Sequence, residues 1–338
     1  MINCLYISVH ETLEWSELSL FAEFPEMNWF SLGAYTYPEG HPSLKRPGIP
    51  LLKFNQELAD WSRTFPTTNM PQEFIDRFDL IVVMHDPQVI VQNWEKLKGK
   101  NVIWRSIGQS TAECEKTLKP MVDEGLKIVR MSKMEENLLG YLGGTVIPFY
   151  VDEHEFLDYN GKERRAINMT QTLKGRRASC HYDSITQVLE GFPALVYGTG
   201  NSDLGGLNGG ELTFDLMKGA LRDNRVFIYG GTFPSPYTMA LQEAMMTGIP
   251  VVALGRHLAE DIQIAPEDKY HYYEIPEIIN GENGFVSDSI EGLRDCVLKL
   301  LDDENLAKMI GQKGRETAQR LWGKLIVKQL WKEYFNAL

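Results

Sequence analysis

Residues 225–255, RVFIYGGTFPSPYTMALQEAMMTGIPVVALG, narrow the possible folds of this chain more than any other stretch. The segment opens on an apolar run, Val226-Phe227-Ile228-Tyr229, and closes on another, Val251-Val252-Ala253-Leu254. Unbroken runs of this kind read as strands buried on both faces. Between them Met239, Leu241, Ala244 and Met245 fall at helical spacing over residues 239–246. Gly248 and Pro250 stop that helix, the first as a C-terminal cap and the second just beyond it. Residues 232–238 hold Pro234 and Pro236 and cannot be regular structure, so they lead irregularly into the helix. A helix start of this kind aims backbone N–H groups at whatever lies in front of it, which makes it an anion site. Glu243, one turn in, is the sole acid of the helix and needs a partner if it is buried.

The helix and the following strand read Glu243-Ala244-Met245-Met246-Thr247-Gly248-Ile249-Pro250-Val251-Val252-Ala253. This resembles the donor-binding signature of the retaining "group 1" family of GT-B glycosyltransferases. There a strand, a Pro-Ser loop and a helix reading Glu-Ala-Met-Ala-x-Gly-x-Pro-Val-Val-Ala hold a nucleotide sugar. The resemblance implies an α/β chain of GT-B fold, two Rossmann-like parallel-sheet domains facing across a cleft. It assigns residues 1–148, with a C-terminal helix at 323–338 crossing back, to the acceptor side. Residues 149–322 then form the nucleotide-sugar-binding domain.

The 338 residues suffice for two such domains, and the 43% hydrophobic and 24% charged content is that of a soluble globular protein. A formal charge of −12 argues against broad binding to nucleic acid or anionic membrane. Cys4, Cys114, Cys180 and Cys296 show no metal spacing and read as reduced core thiols. The N-terminus runs directly into an apolar strand at 5–9, so neither signal peptide nor membrane span is expected, and the location is cytoplasmic.

In the first half, strands are expected at 5–9, 29–32, 79–84, 101–104 and 126–130. Loops at the carboxyl ends of parallel strands line the ligand crevice. His10, behind the first strand, is therefore a candidate contact as well as an ordinary surface histidine. His85 follows 79–84 and precedes a helix through Trp94 and Leu97, and Arg105 follows 101–104. Residues 37–50, rich in Pro and Gly and carrying Lys45 and Arg46, form a long loop suited to covering an acceptor. Ser132 with Glu135 makes a capping box. Residues 146–152, Val-Ile-Pro-Phe-Tyr-Val-Asp, resemble the family's interdomain Ile-Pro-Asn-Gly-Val-Asp, with Phe149 and Tyr150 replacing Asn-Gly.

In the second half, a strand at 164–169 leads to Lys174-Gly175, which match a Lys-Gly pair that serves the donor diphosphate in the family. The family's Arg has no clear counterpart, and Arg177 is the nearest substitute. A strand at 194–197 leads into Gly198-Thr199-Gly200, similar to the family's Gly-x-Gly. Residues 204–210 read as a glycine-rich loop, and Thr213 as the cap of a helix running to 221. Residues 275–279 and a turn at 280–286 correspond to the family's Pro-Glu-Ile-Val and Asn-Gly-Phe. The closing helices carry apolar stripes at Leu293, Val297 and Leu301, and at Leu306, Met309 and Ile310. A last double face combines Ile326, Leu330 and Tyr334 with Val327, Trp331 and Phe335.

The resemblance implies transfer of a sugar, with retention, from a UDP- or GDP-linked donor, without a cofactor. The amides of Tyr237, Thr238 and Met239, with Lys174 and Arg177, would hold the diphosphate, and Glu243 the ribose hydroxyls. Ser235, Gly198 and Gly200 complete the donor side. No Asp-x-Asp cluster stands at a strand end, so metal-independent transfer is expected. Two positions depart from the family: Ser235 stands where a Glu contacts the transferred sugar, and Ile107-Gly108 where a His-Gly is common. His10, His85 and Arg105 are the candidates to take over catalysis. A GT-B sugar-nucleotide epimerase and a non-catalytic nucleotide-sugar-binding protein are the alternatives. The acceptor stays open among glycan, small molecule, lipid and modified nucleobase. The charge weighs against the last, and the lack of a basic amphipathic helix weighs against a membrane lipid.

Overall fold

An apolar strand run needs a packed layer on each face, and this chain builds that arrangement twice. The computed structural model describes residues 1–37, 46–53, 55–260 and 272–338; Lys45 and most of the 37–50 loop lie outside them. Two compact units result. One comprises Met1–Tyr150 with Val327–Leu338, the other the described residues between 151 and 326.

The first unit holds strands β1 (Ile2–Ile7), β2 (Met27–Leu32), β3 (Leu80–Met84), β4 (Asn101–Arg105), β5 (Lys127–Arg130) and β6 (Thr145–Val146). They form one parallel sheet in the order β2-β1-β3-β4-β5-β6. All five residues of β3 are buried, as its unbroken run requires. One face packs Leu5, Ile7, Phe30, Ile81 and Trp104 against Phe74 and Phe78. The other face meets the last helix, Lys324–Asn336: Trp331 lies edge-on to Phe21 at 4.9 Å and stacks on Phe335 at 5.1 Å. Val327 and Trp331 form the buried stripe of that helix, whereas Ile326 is 48% exposed.

The second unit holds β7 (Glu163–Met169), β8 (Ala194–Tyr197), β9 (Asn208–Gly210), β10 (Asn224–Tyr229), β11 (Val251–Leu254) and β12 (Phe285–Ser287), all parallel, in the order β12-β11-β10-β7-β8-β9. Two expectations change here. Residues 204–210 are not a plain loop but a 3₁₀ turn, Ser202–Leu207, running into β9; the 280–286 turn likewise runs into β12. Both are three-residue edge strands, too short to show a period. The helix Met239–Thr247 is buried at every position except Ala240. The helix Glu304–Trp322 packs on it and buries Ala307, Ile310, Gly311 and Gly314, whereas Met309, expected in that stripe, is 56% exposed. Glycine permits the approach: a Cβ on Gly311 would stand 1.9 Å from the Gly248 carbonyl oxygen.

In each sheet the winding reverses once, between β1 and β3 and between β7 and β10. Such topological switch points open crevices at the carboxyl ends of the strands, where open α/β sheets bind ligands. All four cysteines are free thiols; Cys4 and Cys180 are buried, but Cys114 and Cys296 are only half-buried. No helix among the described residues is long and apolar enough to cross a membrane. Gly311→Ala should overpack the helix crossing and lower the unfolding free energy by about 1–3 kcal/mol. Urea denaturation checks this, and a change below about 0.5 kcal/mol, the range of ordinary surface substitutions, would contradict the close packing.

Candidate functional site

Two loops border the switch point of the second unit, residues 170–181 behind β7 and 230–238 behind β10. They are tied together: the Phe233 N–H donates to the Ser179 oxygen at 2.7 Å, and the Thr232 hydroxyl lies 3.9 Å from Cys180 Sγ. The 230–238 loop also closes on itself. Ser235 N–H donates to the Thr232 oxygen at 2.7 Å, and its hydroxyl donates to the Tyr237 oxygen, also at 2.7 Å. Ser235, expected among the ligand contacts, is buried and its hydroxyl donates within the loop. Tyr237 is buried with its ring 5.3 Å from that of Trp322.

Thr238 is the extended N-cap of the Met239–Thr247 helix, and its side chain makes no capping bond. The positive end of the helix dipole is therefore presented at the crevice without a cap from the Thr238 side chain. At the far end Gly248, at φ 91°, closes the helix, and the Arg315 guanidinium donates to the Met246 oxygen. Its positive charge lies against the negative end of the dipole and fixes the helix from behind. Glu243 is 2% exposed.

On the other loop Lys174 is exposed, its ammonium 3.8 Å from Asp203. Arg177 pairs with Asp183 and lies 4.9 Å over the Tyr182 ring, so its charge is already engaged. Gly198 and Gly200, at φ +139° and +75°, have a packing role. A Cβ on the first would stand 2.6 Å from the Thr170 oxygen, and on the second 2.7 Å from Thr172 Oγ1. They give the 170–177 loop room to lie against the 198–201 turn.

The first unit's switch point is flanked by His10, behind β1, and His85, behind β3. His10 caps the helix Glu11–Phe21, its Nδ1 accepting the Leu13 N–H at 3.4 Å. His85 stands at φ +65°, in the left-handed region that histidine enters more readily than most side chains, and its backbone N–H donates to the Arg105 oxygen at 2.9 Å. Desolvation holds the His85 imidazole below the usual histidine range; nearby His10 adds to this and Asp86 opposes it. Desolvation lowers His10 too, although its outer edge is exposed. The structure brings these two histidines together.

Arg105 is not with them. It is fully buried, its Nε donating to Glu17 at 2.7 Å and its guanidinium lying 4.1 Å over the Phe149 ring and 5.6 Å from that of Trp331. An arginine sealed between a carboxylate and two rings braces the core, which corrects its reading as a catalytic candidate.

No protein-family model matches the sequence, and no curated protein matches it. Solved structures do. HepE from Anabaena, in complex with UDP and glucose, aligns at TM-score 0.68 with 12% identity over 100% of both chains. Sucrose-phosphate synthase from Thermosynechococcus elongatus aligns at 0.66 with 15% identity, again over 100% of both. The chain has the GT-B fold. A glycosyltransferase from Rickettsia africae adds a third likeness, TM-score 0.65 and 12% identity over 99% of this chain and 98% of that one. At such identities the likeness is one of fold.

Within this GT-B chain, buried polar residues hold the crevice loops; sequence reading passed over Glu14 and Glu115 and saw Glu135 only as a helix cap. Glu14 accepts from Ser31 Oγ at 2.6 Å and from the Ala34 and Tyr35 amides at 2.9 Å, pinning the loop behind β2. Glu135 accepts from the Ser106 hydroxyl, and Glu115 from Ser110 Oγ at 2.7 Å, with Arg130 donating to Glu115 between them. The signal was weak: Glu14 and Glu17 stand among apolar helix positions, where a carboxylate needs partners. Among the described residues no three His, Cys, Asp or Glu side chains converge to hold a metal ion.

His181 closes the 170–181 loop at φ +55°, and burial pushes its pKa down to about 4. Its unfolded value is near 6.5, so the unfolded chain takes up a proton first as the pH falls. Stability from this residue is complete above 6.5 and is lost between 6.5 and about 4. His181→Asn, which tolerates the left-handed backbone, should remove on the order of 3 kcal/mol of that acid sensitivity. Denaturation of both proteins at pH 7 and pH 4 measures it; identical pH profiles would contradict the buried neutral imidazole.

Proposed function

We propose that this chain is a glycosyltransferase that moves a sugar from a UDP- or GDP-linked donor to an acceptor hydroxyl, with retention and without a protein-bound metal. The acceptor class is a glycan, a small molecule or a modified nucleobase. The observation that carries the reading is the second unit's switch point. There the start of a buried helix, without a side-chain cap, and the loop bearing the exposed Lys174 flank one crevice. The GT-B neighbours add support: HepE has been crystallised with UDP and with UDP-glucose. Retention rests on the resemblance of residues 243–253 to the retaining family.

The chemistry follows from charge. As the bond from the sugar to the diphosphate breaks, negative charge grows on the phosphate oxygens. The helix dipole and the Lys174 ammonium stabilise that charge, preorganised and needing no rearrangement. Arg177, held by Asp183 and Tyr182, contributes less. Glu243 accepts hydrogen bonds from the ribose hydroxyls, charge-assisted contacts worth about 1.5–3 kcal/mol. On the acceptor side, His10 and His85 stay neutral at pH 7 through desolvation, and a neutral imidazole can accept the bond of an acceptor hydroxyl.

Lys174→Ala should weaken UDP or GDP binding about tenfold while leaving the nucleoside nearly unaffected. The loss should shrink as salt rises, because an exposed cation is screened. Calorimetry of both ligands tests this, and equal weakening would mean that the loop had merely collapsed. Glu243→Ala should instead weaken nucleoside and diphosphate alike, by about ten- to a hundredfold; unchanged affinity in a folded variant would remove Glu243 from the site. Acceptor-dependent release of UDP or GDP from the sugar nucleotide, across an acceptor panel, tests the reaction itself.

A further inference from the structure

The loop that carries Lys174 bends through Thr172, whose φ is +51°. A β-branched residue hardly adopts left-handed backbone, and such a position persists only where its surroundings over-determine it. Here the surroundings centre on one side chain. Asn201, 1% exposed, sits in the turn behind β8. Its Nδ2 donates to the Thr170 oxygen at 2.7 Å and to the Gly198 oxygen at 3.1 Å, and its Oδ1 accepts the Leu173 N–H at 2.9 Å. The bonds thus fall on either side of Thr172, whose own N–H donates to the Thr199 oxygen at 2.7 Å. The bracket needs a donor and an acceptor on one short planar group, which an amide supplies and an aspartate or alanine does not. Asp203, two residues on, is the 3.8 Å partner of Lys174.

We propose that Asn201 is a positioning residue for nucleoside-diphosphate binding. It holds the strained Thr172 turn so that Lys174 stands at the crevice before a ligand arrives, and Asp203 occupies the ammonium until a phosphate displaces it. This rests on the donor-site reading above and adds to it the residues that pre-organise the cation. The Lys174–Asp203 pair is half-exposed, and exposed pairs are weak, so an incoming diphosphate displaces it readily.

Two substitutions two residues apart should act in opposite directions, which a merely structural role would not produce. Asn201→Ala should lower UDP affinity about tenfold, the loss of one well-placed hydrogen-bonding group, and leave uridine affinity unchanged. Asp203→Asn, which removes a competitor for the ammonium, should raise UDP affinity several-fold at low salt, with the gain fading at high salt. Thr172→Gly takes positive φ freely; placed in the Asn201→Ala protein, it should recover most of the lost affinity. Ligand-free amide exchange checks that the variant is folded: in Asn201→Ala, Thr172 and Leu173 should exchange faster while β7 and β8 keep their protection. If the wild type binds neither UDP nor GDP, the donor reading falls and this inference with it. Wild-type binding with an unchanged ratio of UDP to uridine affinity in Asn201→Ala, or a loss in Asp203→Asn, overturns the inference alone.

Discussion

In each sheet the chain first builds out on one side of its first strand and then returns to pair on the other, as β2 and then β3 do around β1, and β8–β9 and then β10 around β7. Where that happens, the connections after two neighbouring strands leave in opposite directions, and backbone that would be covered elsewhere is left open at the strand ends. The groups proposed to bind donor and acceptor are arranged around those two openings. The His10 and His85 loops border one, and the 170–181 and 230–238 loops border the other. The helix Met239–Thr247 follows the second directly, so its dipole is aimed by the sheet rather than by any residue of its own.

A loop at such an opening has no ladder to hold it, so its backbone groups must find other partners. This chain uses buried polar side chains. Glu14 takes two amides and a hydroxyl behind β2, Glu135 takes Ser106 behind β4, and Asn201 brackets the loop behind β7. Burial raises the Glu14 and Glu135 carboxyls, and the bonds they accept work against that rise. Buried groups satisfied in this way rigidify what they touch, whereas a half-satisfied one destabilises. The crevice loops are therefore set before any ligand is present, the condition for electrostatic stabilisation without reorganisation.

The parts of this arrangement that were legible in the sequence are those whose causes are local. The β10–helix–β11 stretch announced itself by two apolar runs, one helical period and the Gly248 stop, which the structure places at φ 91°. The Ser132–Glu135 capping box was equally readable, since both partners lie within one turn. Arg105 was misread because an arginine at a strand end looks like a ligand contact, and nothing nearby reveals that Glu17, 88 residues earlier, takes its charge. Asn201, next to the Gly198-Thr199-Gly200 turn, carries no local mark of its role, because its acceptor serves an amide 28 residues back. Met309 was assigned to a buried stripe because large apolar residues were taken to mark the face, whereas the buried face runs through the small residues Ala307, Gly311 and Gly314 and leaves Met309 outward.

The central claim is that a nucleoside diphosphate binds at the switch point of the second sheet. Photocrosslinking with a photoreactive UDP or GDP analogue, followed by peptide mapping, tests it most directly. The label should fall on residues 170–181 or 230–243 and be chased by unlabelled nucleotide. Competed labelling confined to the first unit, or to the surface groove lined by Gln187, Phe192 and Leu207 at the other end of β8, would contradict the account.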